Sequence, residues 1–463
     1  MLLIASCASA QNRFAPGTRP FLAVDAPVVA LEHVRVIDGT GAASRDDQTI
    51  VLDHGKIAAV GPAASTPSPP GARRLDLTGH TVIPGLVGMH EHLFYPSAGG
   101  VPLYNEQGFS FPRLYLAAGV TTARTGGSLE PYTDLSIKRL IDQGSMPGPK
   151  LWITGPYLEG KGTFAAQMHE LAGPEDAART VTYWAEEGVT SFKAYMYITR
   201  AELKAAVETA HAHGLKVTGH LCSIGFREAA GIGIDNLEHG LLVDTEFHPG
   251  KQPDVCPPQN VTRAEGGRLD IGSAPVREMI ADLVKHHVAL TSTLAVFEAL
   301  DGGRPAVQQR FLDTVNPEAA LNYLTARSRT QAGSFAPLLK KEMEFERAFV
   351  QAGGLLMAGA DPTGNGGALA GFADQRNVEL LVEAGFTPVE AIRIASYNGA
   401  QFLGQQDRIG TIAAGKQADL VVIEGNPAAR IDELETVTLV FKDGAGYDPA
   451  KLLDSVRGAA GLN

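Results

Sequence analysis

Eight short segments rich in apolar and β-branched residues alternate with helix-like stretches through the middle of this 463-residue chain. Strand-and-turn patterns recur at both of its ends. The alternation predicts an α/β fold with a parallel sheet, and eight strands with crossover helices predict a (β/α)8 TIM barrel. The flanking patterns predict a small β-sandwich built from both chain termini, because the N-terminal strands alone are too few to close one. The boundaries expected are 1–27 for a signal and linker, 28–83 for the N-terminal part of the sandwich, 84–404 for the barrel and 405–463 for the C-terminal part.

Bulk composition fits that architecture. Hydrophobic residues make up 44% and charged residues 19%, as in a globular protein with a large core. A net charge of −12 argues against nucleic acid and anionic membranes as partners, since both need basic surfaces. No apolar run approaches the length of a membrane span. The first ten residues read as the end of a secretory signal, with Ala8-Ser9-Ala10 as a small-residue cleavage site before Gln11. Ile4-Ala5-Ser6-Cys7 reads alternatively as a lipoprotein box with Cys7 lipidated. A disordered N-terminus is the plainer reading, and of the three an exported, periplasmic or extracellular protein is the one expected. Of the three cysteines, Cys222 and Cys256 could pair in an oxidising compartment, and the absence of paired CxxC motifs excludes a cysteine-rich zinc site.

Residues 11–27 read as a linker rich in Pro, Gly and Arg. Strand signals follow at Leu31 to Ile37, Thr49 to Leu52, Lys56 to Val60 and Arg73 to Leu77, with the turn Asp53-His54-Gly55 and a Pro/Ser-rich loop from Pro62 to Pro70 between them. Ala418 to Ile423 and Thr436 to Phe441 supply the C-terminal strands. Between these ends the first barrel strand leads through Pro84 to His90-Glu91-His92. The other seven are expected at Gly119 to Arg124, Lys150 to Thr154, Val189 to Tyr195, Lys216 to His220, Ile234 to His239, Val288 to Thr293 and Leu355 to Ala360. Thr199 and Glu202 form a capping box ahead of Leu203 to His213, and Gly214 closes that helix. Pro388 sits at the first position of another helix with Glu390 at the third, and Gly404 ends it.

Polar residues end the apolar strands. They are His90 and His92 on the first, Lys193 on the fourth, His220 on the fifth, His239 on the sixth and Asp361 on the eighth. Side chains two apart on a strand share a face, so His90 and His92 project together. A barrel gathers its strand ends at one mouth, so six such residues there point to a metal site.

These motifs carry a resemblance. The chain resembles the amidohydrolase superfamily over nearly its full length, of the two-metal, carboxylated-lysine type that includes imidazolonepropionase-like and Xaa-Pro dipeptidase-like members. The matching residues are Pro84-Gly85-Leu86, His90-Glu91-His92, Phe192-Lys193-Ala194, Gly219-His220-Leu221, Glu238-His239-Gly240 and Ala358-Gly359-Ala360-Asp361. Val36-Ile37-Asp38-Gly39, Gly55-Lys56-Ile57, Gly410-Thr411-Ile412 and Gly415 to Leu420 match at the flanks. The resemblance implies two divalent metal ions, zinc first among them. His90, His92 and Asp361 would hold one, and His220 and His239 the other. It implies that carbon dioxide converts Lys193 to a carbamate (N6-carboxylysine) bridging the two. The chemistry implied is attack by a hydroxide bridging the ions on a small substrate's carbonyl. Asp361 is then ligand and catalytic proton shuttle, delivering a proton to the leaving amine.

The expected substrate is an amide such as a dipeptide or N-acyl amino acid. The same site also suits a lactonase or phosphotriesterase. A one-metal deaminase normally lacks the bridging lysine and carries a Glu shortly after the fifth-strand histidine, where Leu221-Cys222-Ser223 stand here. A catalytically dead scaffold usually loses ligands, and none is missing. Candidate substrate contacts are Tyr195 (with Tyr197 beside it), His169 and Arg124. Each also has a plainer reading: core packing for the tyrosines, a solvent-facing loop for His169, a brace for Arg124. The stretch from Leu241 to Ser273 reads equally as surface insertion or substrate lid. Dipeptide-cleaving relatives often carry an aromatic or polar residue where Cys222 stands, which puts their usual substrate grip in doubt. A homo-oligomer is compatible with everything above.

Overall fold

A computed structural model describes residues 13–97 and 103–461. The expected signal segment and Cys7 lie outside the described residues. The architecture is α/β and TIM-barrel-like, with parallel strands bearing the site. Those strands are β1 (Leu86–Glu91), β2 (Val120–Thr125), β3 (Lys150–Trp152 and, after Ile153, Thr154–Leu158), β4 (Ser191–Ala194), β5 (Lys216–Gly219), β6 (Asn236–Glu238), β7 (Ala289–Ser292) and β8 (Leu356–Ala358). All eight fall inside or beside the stretches the sequence nominates. Their observed ends are shorter, so His92, His220 and His239 each lie one residue past a strand and Asp361 three residues past.

Neighbours in the series pair in parallel. Ala123 stands opposite both Gly88 and Leu151, Lys193 opposite Tyr157 and Thr218, Leu237 opposite Gly219 and Leu290, and Ser292 opposite Ala358. The break at Ile153 divides the ladder into one sheet of three strands and one of six. Between the last strand and the first, the Asp361 N–H donates to the His90 carbonyl at 2.8 Å.

Both ends of the chain contribute to a single nine-stranded sheet. Its seam is the antiparallel pairing of Leu420–Glu424 with His80–Pro84, Val422 facing Val82. Gly85 hands the chain from this sheet to β1. Its N–H donates to Asp419 O at 2.8 Å, and a Cβ there would lie 2.0 Å from Thr121 Oγ1, so no larger residue fits. The segment expected as a linker is more ordered than its composition suggests. Leu22–Val24 pairs with Ala445–Tyr447, and Phe14 is buried with its ring edge against Tyr447. A strand of three residues is too short to leave a periodic signal.

The helix signals hold. Helix α1 (Arg200–Ala212) carries the Thr199–Glu202 capping box, and Gly214 follows it in the left-handed region at φ +70°. Past β6, the long connection folds helix α2 (Gln259–Gly266) of its own. A disulfide joins Cys222, just past β5, to Cys256, just before α2. The pairing considered for these two cysteines is therefore made. No helix among the described residues is long and apolar enough to cross a membrane.

Candidate metal centre

The β1 run brings His90 and His92 to the mouth of the strand set, where ligand atoms of His90, His92 and Asp361 all lie within 4.8 Å of one another. His92 Nε2 is 3.1 Å from Asp361 Oδ1, and His90 Nε2 is 3.9 Å from it. His239 approaches the other carboxylate oxygen, Nε2 to Oδ2, at 3.9 Å. The His239 ring stands 4.6 Å from the His90 ring and 4.6 Å from the His220 ring, centroid to centroid. With Lys193, all these residues line one cavity of about 140 Å³. The sequence-nominated residues His90, His92, Lys193, His220, His239 and Asp361 are brought together.

Backbone geometry helps to aim them. His239 and Asp361 sit at φ +69° and +44°, a region costly for residues other than glycine. Both are pinned there, His239 N–H by Thr291 O at 3.1 Å and Asp361 N–H by His90 O. Gly359 must lack a side chain because a Cβ would stand 2.4 Å from the His90 nitrogen.

Protonation states suit metal ligation. Burial pushes His90 down to about 4, aided by the Lys193 amine, and burial likewise drives His220 and His239 well below the ordinary imidazole value. Neutral imidazole is the form that binds metals. Burial opposes ionisation of Asp361, but His90, His92 and His239 outweigh it and hold the carboxyl well below its usual range. Burial also lowers Lys193 to about 8, against the pull of Glu238, so a neutral nucleophilic amine is within reach near pH 8.

The residues fit a metal by a second criterion. Buried polar atoms are normally satisfied, yet His92 Nδ1, Lys193 Nζ, His220 Nε2 and His239 Nε2 are buried with no hydrogen-bond partner. The nearest acid to Lys193 is Glu238 Oε1, 3.6 Å away. Lys193, His220 and His239 bring three of these unsatisfied nitrogens to the one cavity that Asp361 also lines, an incomplete polar cluster that divalent cations would complete.

The pattern of the amidohydrolase family matches residues 81–445. The chain belongs to the amidohydrolase family. It is accordingly a hydrolase. Among solved structures it is similar to a candidate prolidase from Bifidobacterium longum, with a TM-score of 0.68 and 24% identity over 93% of this chain and 98% of that one. A Xaa-Pro dipeptidase with methionine bound in its active site gives a TM-score of 0.68 at 21% identity, over 91% of this chain and all of that one. A 5'-deoxyadenosine deaminase of Methanobrevibacter smithii is 34% identical over 74 residues, 16% of this chain and 17% of that protein. The chain thus matches about a sixth of the length of that curated relative.

The structure sorts the nominated substrate contacts of this amidohydrolase. Tyr195 lines the cavity, its ring 4.8 Å from that of His220. His169 does not. Its largely exposed imidazole pairs with Asp176 at 3.0 Å, outside the metal cavity. Tyr197 is also absent from the lining, whereas Tyr104 and Tyr157, not nominated, are part of it. Arg124 is absent from the cavity lining and takes the bracing arrangement of its plainer reading. It is fully buried, donates to Met89 O and Thr218 Oγ1, and pairs with Glu238 at 2.7 Å. Cys222 is consumed in the disulfide and does not face the cavity.

Sequence reasoning gave Glu238 no role. Its carboxylate accepts from His90 Nδ1 at 2.8 Å and from Arg124, which fixes the His90 tautomer and leaves Nε2 free. The available signal was a charged residue within a predicted barrel strand, which requires a buried partner. Arg263 was missed as well. It reaches the cavity from α2, so the connection after β6 contributes to the pocket and is no mere surface insertion.

Proposed function

We propose that this amidohydrolase cleaves the C–N bond of a small amide, such as a dipeptide or N-acyl amino acid, at a centre of two divalent ions. The observation that carries the reading is the convergence of four histidines, Lys193 and Asp361 on one cavity, with partnerless nitrogens on Lys193, His220 and His239. His90, His92 and Asp361 would hold one ion, and His220 and His239 the other. Lys193, carboxylated by carbon dioxide on its neutral amine, would bridge them. Zinc suits this set of nitrogen and carboxylate donors. Bound there, two such ions supply hydroxide near neutral pH and polarise a carbonyl.

The chain's own residues do the rest. Glu238 orients His90, and Thr293 Oγ1 orients His239 through Nδ1 at 2.6 Å. Asp361 Oδ1, which also accepts from the Thr363 hydroxyl at 2.7 Å, is placed to take a proton and return it to the departing amine. That return matters because an amide anion is a very poor leaving group. The Xaa-Pro dipeptidase among the structural neighbours supports the choice of substrate class. We extend the proposal to a closed (β/α)8 barrel over 84–404 and a β-sandwich from 28–83 and 405–463. The Asp361–His90 backbone bond supports the first, and the nine-stranded sheet shared by both chain ends supports the joining of the termini in the second. The Cys222–Cys256 disulfide supports an exported, periplasmic or extracellular location.

The test is a substrate screen. The protein is loaded with zinc and bicarbonate, its metal content is measured, and it is incubated with pooled dipeptides and N-acyl amino acids. Lactones and a phosphotriester form a parallel pool, and products are read by mass spectrometry. Cleavage in the first pool is expected. Turnover confined to the second would replace the amide reading with the lactonase or phosphotriesterase one. Fewer than two ions per chain in an active protein would overturn the two-ion centre.

A further inference from the structure

We infer that Arg263 is the residue that reads the substrate, and that it selects amides carrying a free carboxylate on the side away from the metal centre. The inference rests on the amide reading above and deepens it by naming the residue that holds the carboxylate such substrates carry.

Arg263 is the only arginine among the described residues that line the metal cavity. Its charge is the one full charge there that the proposed centre does not use, since Lys193 and Asp361 belong to that centre. Its partners are weak. One guanidinium N–H donates to the neutral Gln259 amide at 3.2 Å, and the group lies 5.7 Å from the Phe335 ring centroid. No carboxylate among the described residues is within ion-pair distance of it. Arg124 shows what a structural arginine looks like in the same protein, with a carboxylate at 2.7 Å and two further acceptors. A half-buried arginine with only a neutral partner, facing a cavity, is an anion site awaiting its anion.

Placement supports the same conclusion. Arg263 stands on α2, and the disulfide from Cys222 to Cys256 fastens the chain just before that helix to the end of β5, two residues past His220. Gln259, at the first turn of α2, also donates to Met196 Sδ at 3.5 Å. The cation is therefore held at a fixed distance from the histidines rather than waving on a loose loop. Much of the remaining wall is apolar: Phe94, Leu129, Val296, Phe297 and Leu300. A cation on one wall and an apolar surface elsewhere match an apolar acyl or N-terminal residue joined to an amino acid with a free carboxylate. Lactones and phosphotriesters offer no such anion. Burial lowers the Arg263 value, which agrees with a charge that an incoming anion would compensate.

The test compares an N-acyl amino acid with its own carboxamide, two compounds that differ only in the charge read by Arg263. The zinc- and bicarbonate-loaded wild type should favour the carboxylate in kcat/KM by roughly 10- to 100-fold, the range expected of a hydrogen-bonded charge. In Arg263→Gln that preference should collapse towards unity, the loss appearing mainly in KM, while Arg263→Lys should keep part of it. Calorimetry of the product amino acid and its amide on the same loaded proteins reads the selection without turnover, with Kd for the amino acid rising in Arg263→Gln. Equal kcat/KM for the two compounds in the wild type, or an undiminished preference in Arg263→Gln, would overturn the inference and leave the amide reading standing. Failure to cleave either compound would instead count against the amide reading. In that event the calorimetric preference and its dependence on Arg263 would still decide the role of this residue.

Discussion

The support beneath the metal site can be tested at Glu238. Its carboxylate is fully buried and meets three cationic or donor groups: His90 Nδ1 at 2.8 Å, Arg124 at 2.7 Å and the Lys193 amine at 3.6 Å. Glu238→Gln keeps the shape and removes the charge. The amide oxygen can still accept, but Arg124 and His90 then compete for it, and the side-chain NH₂ faces donors. Stranding a buried arginine in this way costs about 3–5 kcal/mol of stability in comparable pairs. Loss of an orienting carboxylate typically weakens metal binding about 10- to 100-fold, which corresponds to roughly 1.4–2.7 kcal/mol.

Two assays separate these effects. Competition with a chelating dye reads zinc affinity, and urea unfolding of the metal-free protein reads stability. The double variant Arg124→Met, Glu238→Gln removes the stranded charge, so it should regain about 1 kcal/mol or more relative to the sum of the single variants. Its zinc affinity should stay low, because His90 still lacks its carboxylate. Zinc affinity within twofold of wild type in Glu238→Gln would refute the orienting role. Strictly additive stability losses would refute the coupling between Arg124 and Glu238.

Other perturbations follow from the same geometry. With Lys193 lowered to about 8, roughly one amine in ten is neutral at pH 7, against roughly one in 3,000 at the ordinary lysine value. At constant dissolved carbon dioxide, activation should therefore speed up from pH 6 to 8 and level off above. A carbamate carbon signal from labelled carbon dioxide should appear in the wild type and be absent in Lys193→Arg. Asp361→Asn should reduce kcat by about 10³-fold or more through loss of the proton shuttle, with an unchanged circular dichroism spectrum; surviving turnover would remove that role. Replacing Cys222 and Cys256 with serine opens a loop spanning 34 positions and should lower stability by about 4 kcal/mol on the chain-entropy argument, measured by denaturant titration without reductant.

Much of the metal site was legible because its signal is local and repetitive. The six residues lie at or near the ends of the predicted strands, and the fold brings those ends together, so a linear pattern maps onto a cluster in space. What escaped notice depends on contacts between distant positions. Glu238 and Arg124 are 114 positions apart, and nothing in either strand announces the other. Arg124 reads as a polar strand end like its neighbours, and only the register of β2 against β1 turns it under the site. Arg263 lies in a connection without strand periodicity, where composition cannot say which residue points inward. His169 lies outside the cavity lining for the complementary reason. A loop histidine near a barrel mouth looks available until Asp176, seven residues on, is seen to hold it.

The cluster's cost explains why so large a scaffold surrounds it. His239 and Asp361 occupy left-handed backbone, and four buried nitrogens lack partners. Each of these features is unfavourable by about 1–3 kcal/mol. A small metal-dependent domain meets such costs with the metal itself and unfolds without it. Here the strained residues are clamped by backbone bonds to β1 and β7, and His90 and His239 are oriented by Glu238 and Thr293, none of which requires an ion. The apolar core spans the parallel strands and the helices packed against them, from Phe14 to Ala460. The fold therefore carries the strain of the site through contacts that need no ion.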